Sequence, residues 1–140
     1  MTDLKKVFFD TAPFIYFLED DGDFKAKAKK LISDCEKADF VTSTVTVSEY
    51  LTGAFKNEDE QNVSDFKNTI VDYDFEVIPI DWDIAEEAAR IRAKYSGFKM
   101  MDSLQLASAK VSGCDAFISN DLQLKQYSDV KVLIVDEVKI

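Results

Sequence analysis

Short apolar runs alternate with longer stretches of helical periodicity along the whole chain. Five runs have the length and the β-branched or aromatic character of strands, at residues 7–9, 40–43, 75–80, 116–118 and 130–135. Between them, apolar residues recur every three or four positions, as they do over residues 24–35. This alternation predicts an α/β fold, with three α/β/α layers around a mostly parallel, roughly five-stranded, doubly wound sheet. Because the chain has no repeats, low-complexity segments or linkers, residues 1–140 are expected to form a single domain.

Helices are predicted where the periodic stretches lie. Their positions are residues 14–18, 24–35, 44–54, 63–73, 84–95, 100–112 and 122–127. The first is apolar on almost every side, so it should be buried on more than one face and leave surface for another chain. In the sixth, Leu104, Ala107 and Val111 predict the inward stripe. Pro79 cannot donate to a sheet ladder, so the third strand is expected at an edge or to end there.

The chain contains no histidine. This composition excludes Ser-His-Asp and Cys-His nucleophilic sites, histidine proton relays and nearly every zinc catalytic site. A catalytic metal would have to be bound by carboxylates, carbonyls and water, which are the ligands of hard cations such as Mg²⁺ and Mn²⁺. The two cysteines, Cys35 and Cys114, lie in apolar helical patterns and are expected to be reduced core residues.

The chain is acidic, with 27 Asp and Glu against 17 Lys and Arg and a net charge of -10. This balance disfavours a general nucleic-acid coat, which would be basic, but it is compatible with a nuclease whose acids bind cations. An acidic surface also favours a basic or Arg-rich protein partner. Met1, Thr2 and Asp3 lead into the first apolar run without a signal-peptide pattern, and no run approaches the roughly 20 residues of a membrane span. We expect a cytoplasmic protein.

Four acids occupy equivalent places in the predicted fold. Asp10 and Asp121 come just after the first and fourth strands, while Glu49 and Asp102 lie in the first turns of helices. Because ligands of open α/β sheets bind outside the carboxyl ends of the strands, these four carboxylates are expected to face one crevice. Carboxylates within about 5 Å of each other repel by several kcal/mol, so such a cluster needs a cation to neutralise it.

Each acid also has a purely structural interpretation. Asp10 is a good N-cap for the first helix, and the helix dipole favours Asp102 and Asp121 in a first turn. Thr46 and Glu49 have the spacing of a capping box, in which the glutamate reaches back to the N–H of the cap. The joint interpretation, a divalent-metal site lined by carboxylates, outweighs four independent caps because it accounts for all four positions at once.

Four segments carry a resemblance to a known family. In chain order they are Phe9-Asp10-Thr11, Val47-Ser48-Glu49-Tyr50, Asp102 with Leu106-Ala107-Ser108-Ala109, and Ser119-Asn120-Asp121. Over residues 7–135 this ordered set resembles the PIN domain family, and within it the VapC-type toxin ribonucleases of toxin–antitoxin pairs. The resemblance implies a Mg²⁺- or Mn²⁺-dependent ribonuclease that hydrolyses RNA phosphodiester bonds. Its catalytic and metal-binding acids would be Asp10, Glu49, Asp102 and Asp121.

These four acids are expected to have different roles in binding the metal ion. Asp10 and Asp102 are the expected direct ligands, and the other two acids are expected to be outer ligands or to position water. Neighbouring side chains are further candidates for contacts with phosphate. They are Thr11 and Ser119, which could also orient the acids, and Lys99, which could contact the RNA backbone.

The resemblance and the apolar surface together imply protein partners. The apolar helix at residues 14–18 and the pair Met100-Met101 predict a homodimer and a small antitoxin. The antitoxin helix is expected to pack beside Phe14, Tyr16 and Phe17 and to send a basic side chain toward the acids. An arginine in that place would compete with the metal.

Alternatives come from other classes of protein. A Mg²⁺-binding receiver-like phosphoacceptor module needs paired acids near the first strand and a lysine at a late strand end, and neither accompanies Asp10 or Ser119. A catalytically silent PIN-like binding protein is disfavoured because all four acids are present. A haloacid-type phosphotransferase is disfavoured because Asp10-Thr11-Ala12 lacks the second aspartate.

Overall fold

The computed structural model describes residues 3–140. Met1 and Thr2, which entered the signal-peptide argument, lie outside the described residues. The sheet has five strands, Lys6–Phe9 (β1), Asp39–Ser43 (β2), Glu76–Ile78 (β3), Ala116–Ser119 (β4) and Lys131–Ile134 (β5). Their order is β3-β2-β1-β4-β5, and every neighbouring pair is parallel. The winding direction changes at β1, so the predicted doubly wound architecture is confirmed.

Six α-helices connect the strands in the part of the chain that the structure describes. They are Thr11–Glu19 (α1), Asp23–Asp34 (α2), Thr44–Lys56 (α3), Glu60–Asp72 (α4), Trp82–Lys94 (α5) and Met100–Val111 (α6). Short 3-10 helices follow β4 and β5, at Leu122–Gln126 and Val135–Glu137. Within residues 3–140, no helix combines the length and the apolar character needed to cross a membrane.

The central strand β1 shows that both faces of the sheet are covered. Successive side chains of a strand point to opposite faces. Phe8 belongs to an apolar cluster with Ile84 of α5 and Leu106 of α6, whereas Val7 and Phe9 belong to a second cluster built with helices α1, α2 and α4. This division confirms the three-layer α/β/α arrangement.

The apolar helix α1 is covered largely by aromatic rings of its own chain. Phe14 is 3% exposed and meets the ring of Phe66 at 5.3 Å between centroids. Tyr16 stacks on Phe24 at 4.6 Å. The prediction that Phe14 lies at a partner surface is therefore wrong, because helices α2 and α4 supply the second apolar surface that the sequence pattern left to another chain.

Smaller predictions had mixed outcomes. Strand β3 lies at the sheet edge and ends immediately before Pro79, and Cys35 and Cys114 are free and buried, as expected. Val111, however, is 47% exposed rather than inward-facing. The buried stripe of α6 includes polar residues, among them Gln105, whose hydrogen bonds permit burial and which an apolar pattern does not register.

Candidate active site

The carboxyl ends of β1 and β4 lie side by side, because these two inner strands are parallel neighbours in the sheet. Phe9 is paired with Ile118, and the N–H of Asp10 donates to the carbonyl of Ile118 at 2.9 Å. Ser119, the last residue of β4, donates from Oγ to Oδ2 of Asp10 at 2.9 Å. The same hydroxyl accepts the N–H of Asp121 at 3.2 Å. One serine therefore links the first and the last acid of the predicted set.

Asp10 is held by three donors at the end of β1. Its Oδ1 accepts the N–H of Thr11 at 2.9 Å and Nε2 of Gln105 at 3.1 Å, while Oδ2 accepts the Ser119 hydroxyl. The bond from Thr11 makes Asp10 the N-cap of α1. Burial raises the pKa of Asp10 from 3.8 to about 6, because the loss of water outweighs the three hydrogen bonds that favour the anion. The charge of Glu49 raises this pKa in the same direction.

Glu49 reaches the site from the second turn of α3. That helix begins at Thr44, and its N-cap is Ser43, whose Oγ accepts a backbone N–H at 3.1 Å. The alternative interpretation of Thr46 and Glu49 as a capping box is therefore wrong, because the helix starts directly at the end of β2 and is capped there by Ser43. The exposed Glu49 carboxylate instead accepts a hydrogen bond from Oγ1 of Thr11 at 2.7 Å.

Asp102 and Asp121 form the other side of the site. Asp102 lies in the first turn of α6, whose N-cap, Lys99, makes no side-chain cap bond. Burial raises the pKa of Asp102, and the charges of Asp121 and Glu49 also raise it, whereas the ammonium of Lys99 lowers it. Asp121 is exposed and is the N-cap of the following 3-10 helix, one position before the predicted first-turn place. It accepts the N–H of Gln123 at 3.0 Å.

The four acids act on one another in pairs at this edge of the sheet. The charge of Glu49 raises the pKa of Asp10 and that of Asp102, and the charge of Asp121 raises the pKa of Asp102. Across residues 3–140, no three Asp, Glu or Cys side chains form a ready ligand group for a metal ion. The chemistry of the donors fits Mg²⁺ or Mn²⁺, because carboxylate oxygens are hard ligands. The raised pKa values of Asp10 and Asp102, the two inner acids, also indicate that a positive charge would be favourable here.

Sequence reasoning missed a buried polar cluster behind Asp10. Its members, Ser43, Thr46 and Gln105, are each at most 1% exposed. Nε2 of Gln105 donates to Oγ1 of Thr46 at 2.7 Å, and Ser43 donates from Oγ to Oε1 of Gln105. The available signal was a glutamine beside Leu106 on the buried face of α6, three residues after Asp102.

The raised pKa of Asp10 predicts that the metal-free protein is more stable in acid. The folded chain holds this proton more tightly than the unfolded chain, so the stabilisation is full below a pH of about 4 and is lost as the pH rises through about 6. A pKa difference of about two corresponds to about 3 kcal/mol of unfolding free energy. Urea unfolding in chelator should show this loss in the wild type and not in Asp10→Asn. Parallel pH profiles for the two proteins would contradict the prediction.

Several solved structures match the chain along most of its length, whereas no curated protein matches it. A toxin–antitoxin complex from Klebsiella pneumoniae has a TM-score of 0.71 at 23% identity, covering 94% of this chain and 99% of that chain. VapBC2 from Rickettsia felis, bound to a DNA fragment of its promoter, has a TM-score of 0.77 at 15% identity, covering 92% and 98%. VapC20 from Mycobacterium tuberculosis, a sarcin–ricin-loop-cleaving toxin, has a TM-score of 0.69 at 15% identity, covering 89% and 98%. At these identities the similarity establishes the fold.

The sequence also matches a family model directly. The model of the PIN domain covers residues 7–130, a range that contains all four acids and reaches from β1 beyond β4. The fold, the position of the acids at the carboxyl edge of the sheet and this match agree with one another. The chain belongs to the PIN domain family.

Proposed function

We propose that the chain is a divalent-metal-dependent ribonuclease that hydrolyses RNA phosphodiester bonds and acts in the cytoplasm as the toxin of a toxin–antitoxin pair. The observation that carries the proposal is the environment of the Asp10 carboxylate. Three donors hold it at the end of β1, where the winding direction of the sheet changes, and the charge of Glu49 raises its pKa. Family membership and the fold shared with toxin–antitoxin proteins support it. The activity in the name of the VapC20 structure supports RNA as the substrate.

Asp10 and Asp102 would hold the Mg²⁺ or Mn²⁺ ion, with Glu49 and Asp121 as outer ligands or as groups that position water. When bound, the ion polarises the phosphate and lowers the pKa of an attacking water. The two inner acids are suited to this role because their raised pKa values reflect carboxylates that lack enough water or positive charge.

Three other side chains orient these acids or face the substrate. Ser119 fixes Oδ2 of Asp10, and Thr11 fixes Glu49 through its hydroxyl. Lys99, whose charge acts on Asp102, is the proposed contact for the RNA backbone. Orientation of this kind lets the charge of each acid act at a defined place instead of being averaged over rotamers.

The proposal is tested by incubating the purified chain with single-stranded and loop-containing RNAs in Mg²⁺, in Mn²⁺ and in excess chelator. Cleavage is expected with either metal and not with chelator. Cleavage that survives excess chelator would overturn metal dependence, and a folded chain that leaves every RNA intact in both metals would overturn the nuclease assignment.

Glu49→Gln separates a role in the site from a structural role. Glutamine keeps the length of the side chain and can still accept the Thr11 hydroxyl, but it carries no charge. We expect the cleavage rate to fall about 10- to 100-fold, the range typical of residues that support metal ligands, at nearly constant stability. Glu36→Gln is the matched control, since Glu36 is exposed and precedes the amino end of β2, whereas the four acids lie at the carboxyl ends of the strands. Equal rates in the two variants would remove Glu49 from the site.

We further propose a homodimer and a small antitoxin as partners. Met100 and Met101 are 48% and 47% exposed beside Asp102, and Leu122 is 62% exposed beside Asp121, so adaptable apolar surface borders the acids. Sedimentation velocity of the pure chain tests the dimer. Co-expression with the product of the adjacent gene tests the antitoxin, which should co-purify and suppress cleavage. A monomer that forms no such complex would overturn this assignment and leave the nuclease proposal standing.

A further inference from the structure

Gln105 lies behind the candidate site in the interior of the protein. It is 1% exposed, and its carboxamide lies between the end of β1, the end of β2 and the first turn of α3. A buried amide without hydrogen bonds would be strongly unfavourable, so the groups that bond it determine which way it faces.

The hydrogen bonds of Gln105 determine the orientation of its amide. Ser43 Oγ already accepts the N–H of Val45, so its own proton is available for Oε1 of Gln105. Nε2 then faces Oδ1 of Asp10 at 3.1 Å and Oγ1 of Thr46 at 2.7 Å. The reversed amide would place Oε1 against Oδ1 of Asp10, and two acceptors would repel each other. The donor of Gln105 therefore points at the carboxylate.

The hydrogen bond from Gln105 occupies the second acceptor position on Oδ1 of Asp10. A carboxylate has about two acceptor positions on each oxygen. Oδ1 receives the N–H of Thr11 and Nε2 of Gln105, whereas Oδ2 receives the Ser119 hydroxyl alone among the described residues 3–140. The acceptor position that is left for a further ligand is therefore on Oδ2.

We infer that Gln105 is a positioning residue that saturates Oδ1 of Asp10 and so directs the carboxylate to bind a divalent cation through Oδ2. The inference rests on the proposed function, because it assigns the second oxygen of Asp10 to the metal. Partners that hold a ligand in place typically change metal affinity by about 10- to 100-fold when they are removed. Loss of the donor frees the carboxylate to rotate and opens Oδ1 as a competing position.

The test measures metal affinity without measuring catalysis. The full chain is titrated with Mn²⁺, and the free ion is followed by its electron paramagnetic resonance signal, while urea unfolding in chelator reports stability. Gln105→Met keeps the volume and removes both donors, and Gln105→Asn keeps the amide on a side chain one methylene shorter. We expect each variant to weaken Mn²⁺ binding about tenfold or more. Two variants are used because one of them could fail to fold.

Leu106→Val is the matched control. It loosens the buried face of the same helix at a residue that is 0% exposed, and it removes no donor from Asp10. Its Mn²⁺ affinity should stay within about twofold of the wild type at reduced stability. The inference is overturned if folded Gln105 variants bind Mn²⁺ like the wild type, or if Leu106→Val loses affinity equally. A wild type that binds no Mn²⁺ overturns both this inference and the proposed function, whereas binding that ignores Gln105 overturns the inference alone.

Discussion

Asp10→Asn is expected to reduce divalent-dependent RNA cleavage by about a thousandfold or more. Charge stabilisation by a bound metal is worth several kcal/mol, and every 1.4 kcal/mol of barrier is a factor of ten in rate. The variant removes the carboxylate that three donors hold at the end of β1. Asparagine keeps the shape of the side chain, can accept from Thr11 and Gln105, and can donate to Ser119. The fold should therefore persist while the cleavage is lost.

The matched control for Asp10→Asn is Asp115→Asn. Asp115 accepts the N–H groups of Lys5 and Lys6 at the opposite end of β1, through Oδ2 at 2.8 and 3.0 Å. It should keep the cleavage rate, since asparagine can accept the same two N–H groups. Cleavage that falls equally in both variants would point to a loss of folded protein. Cleavage that survives in Asp10→Asn, at wild-type rate and in the same metal, would exclude this carboxylate from the reaction.

Asp102→Asn is expected to reduce RNA cleavage by a similar factor. It should also change how the melting temperature of the protein responds to Mg²⁺. Burial and the charges of Asp121 and Glu49 raise the pKa of Asp102, so its anion is unfavourable in the metal-free fold. Removing that charge should leave the chain folded in chelator and at least as stable as the wild type. It should also reduce the rise in melting temperature that Mg²⁺ produces, because the ion loses a ligand.

Asp83→Asn is the control for Asp102→Asn, because Asp83 is the corresponding first-turn acid of α5. The measurements are RNA cleavage rates and thermal melts, each with Mg²⁺ and with chelator. A normal Mg²⁺ response in Asp102→Asn would remove this residue from the metal site. A loss of the response in Asp83→Asn would show that the melts report general charge and not the site.

The amino-acid pattern by itself determined the elements of the sheet and the place of the acids along the chain. Residues 7–9 and 116–118 are continuously apolar because both faces of a central parallel strand are buried, and this local property is readable without a structure. Asp10 follows the first run and Asp121 lies shortly after the second, and parallel strands bring such positions to one edge. Secondary structure and the carboxyl edge were therefore predictable.

The N-cap of α3 was decided by tertiary structure, although the start of the helix near Thr44 was predicted. Thr46 and Glu49 have the spacing of a capping box, and the sequence contains nothing that excludes it. The helix starts at Thr44 because β2 ends at Ser43, where that residue is paired with Ile78 of β3 and bonded to Gln105. Because the N-cap is Ser43, three residues before Thr46, Glu49 lies in the second turn of α3 and within reach of Thr11.

The covering of α1 and the role of Gln105 were likewise decided by partners distant in the chain. An apolar helix needs apolar contacts, but the pattern does not state whether they come from another chain or from rings such as Phe24 and Phe66. A glutamine on a buried helix face is unfavourable unless donors and acceptors meet it there. The groups that meet Gln105 come from β2, from α3 and from Asp10, which directly follows β1 and is 95 residues away in the chain. Periodicity reports the local chain, whereas hydrogen-bond partners at such separations exist only once the strands and helices have packed.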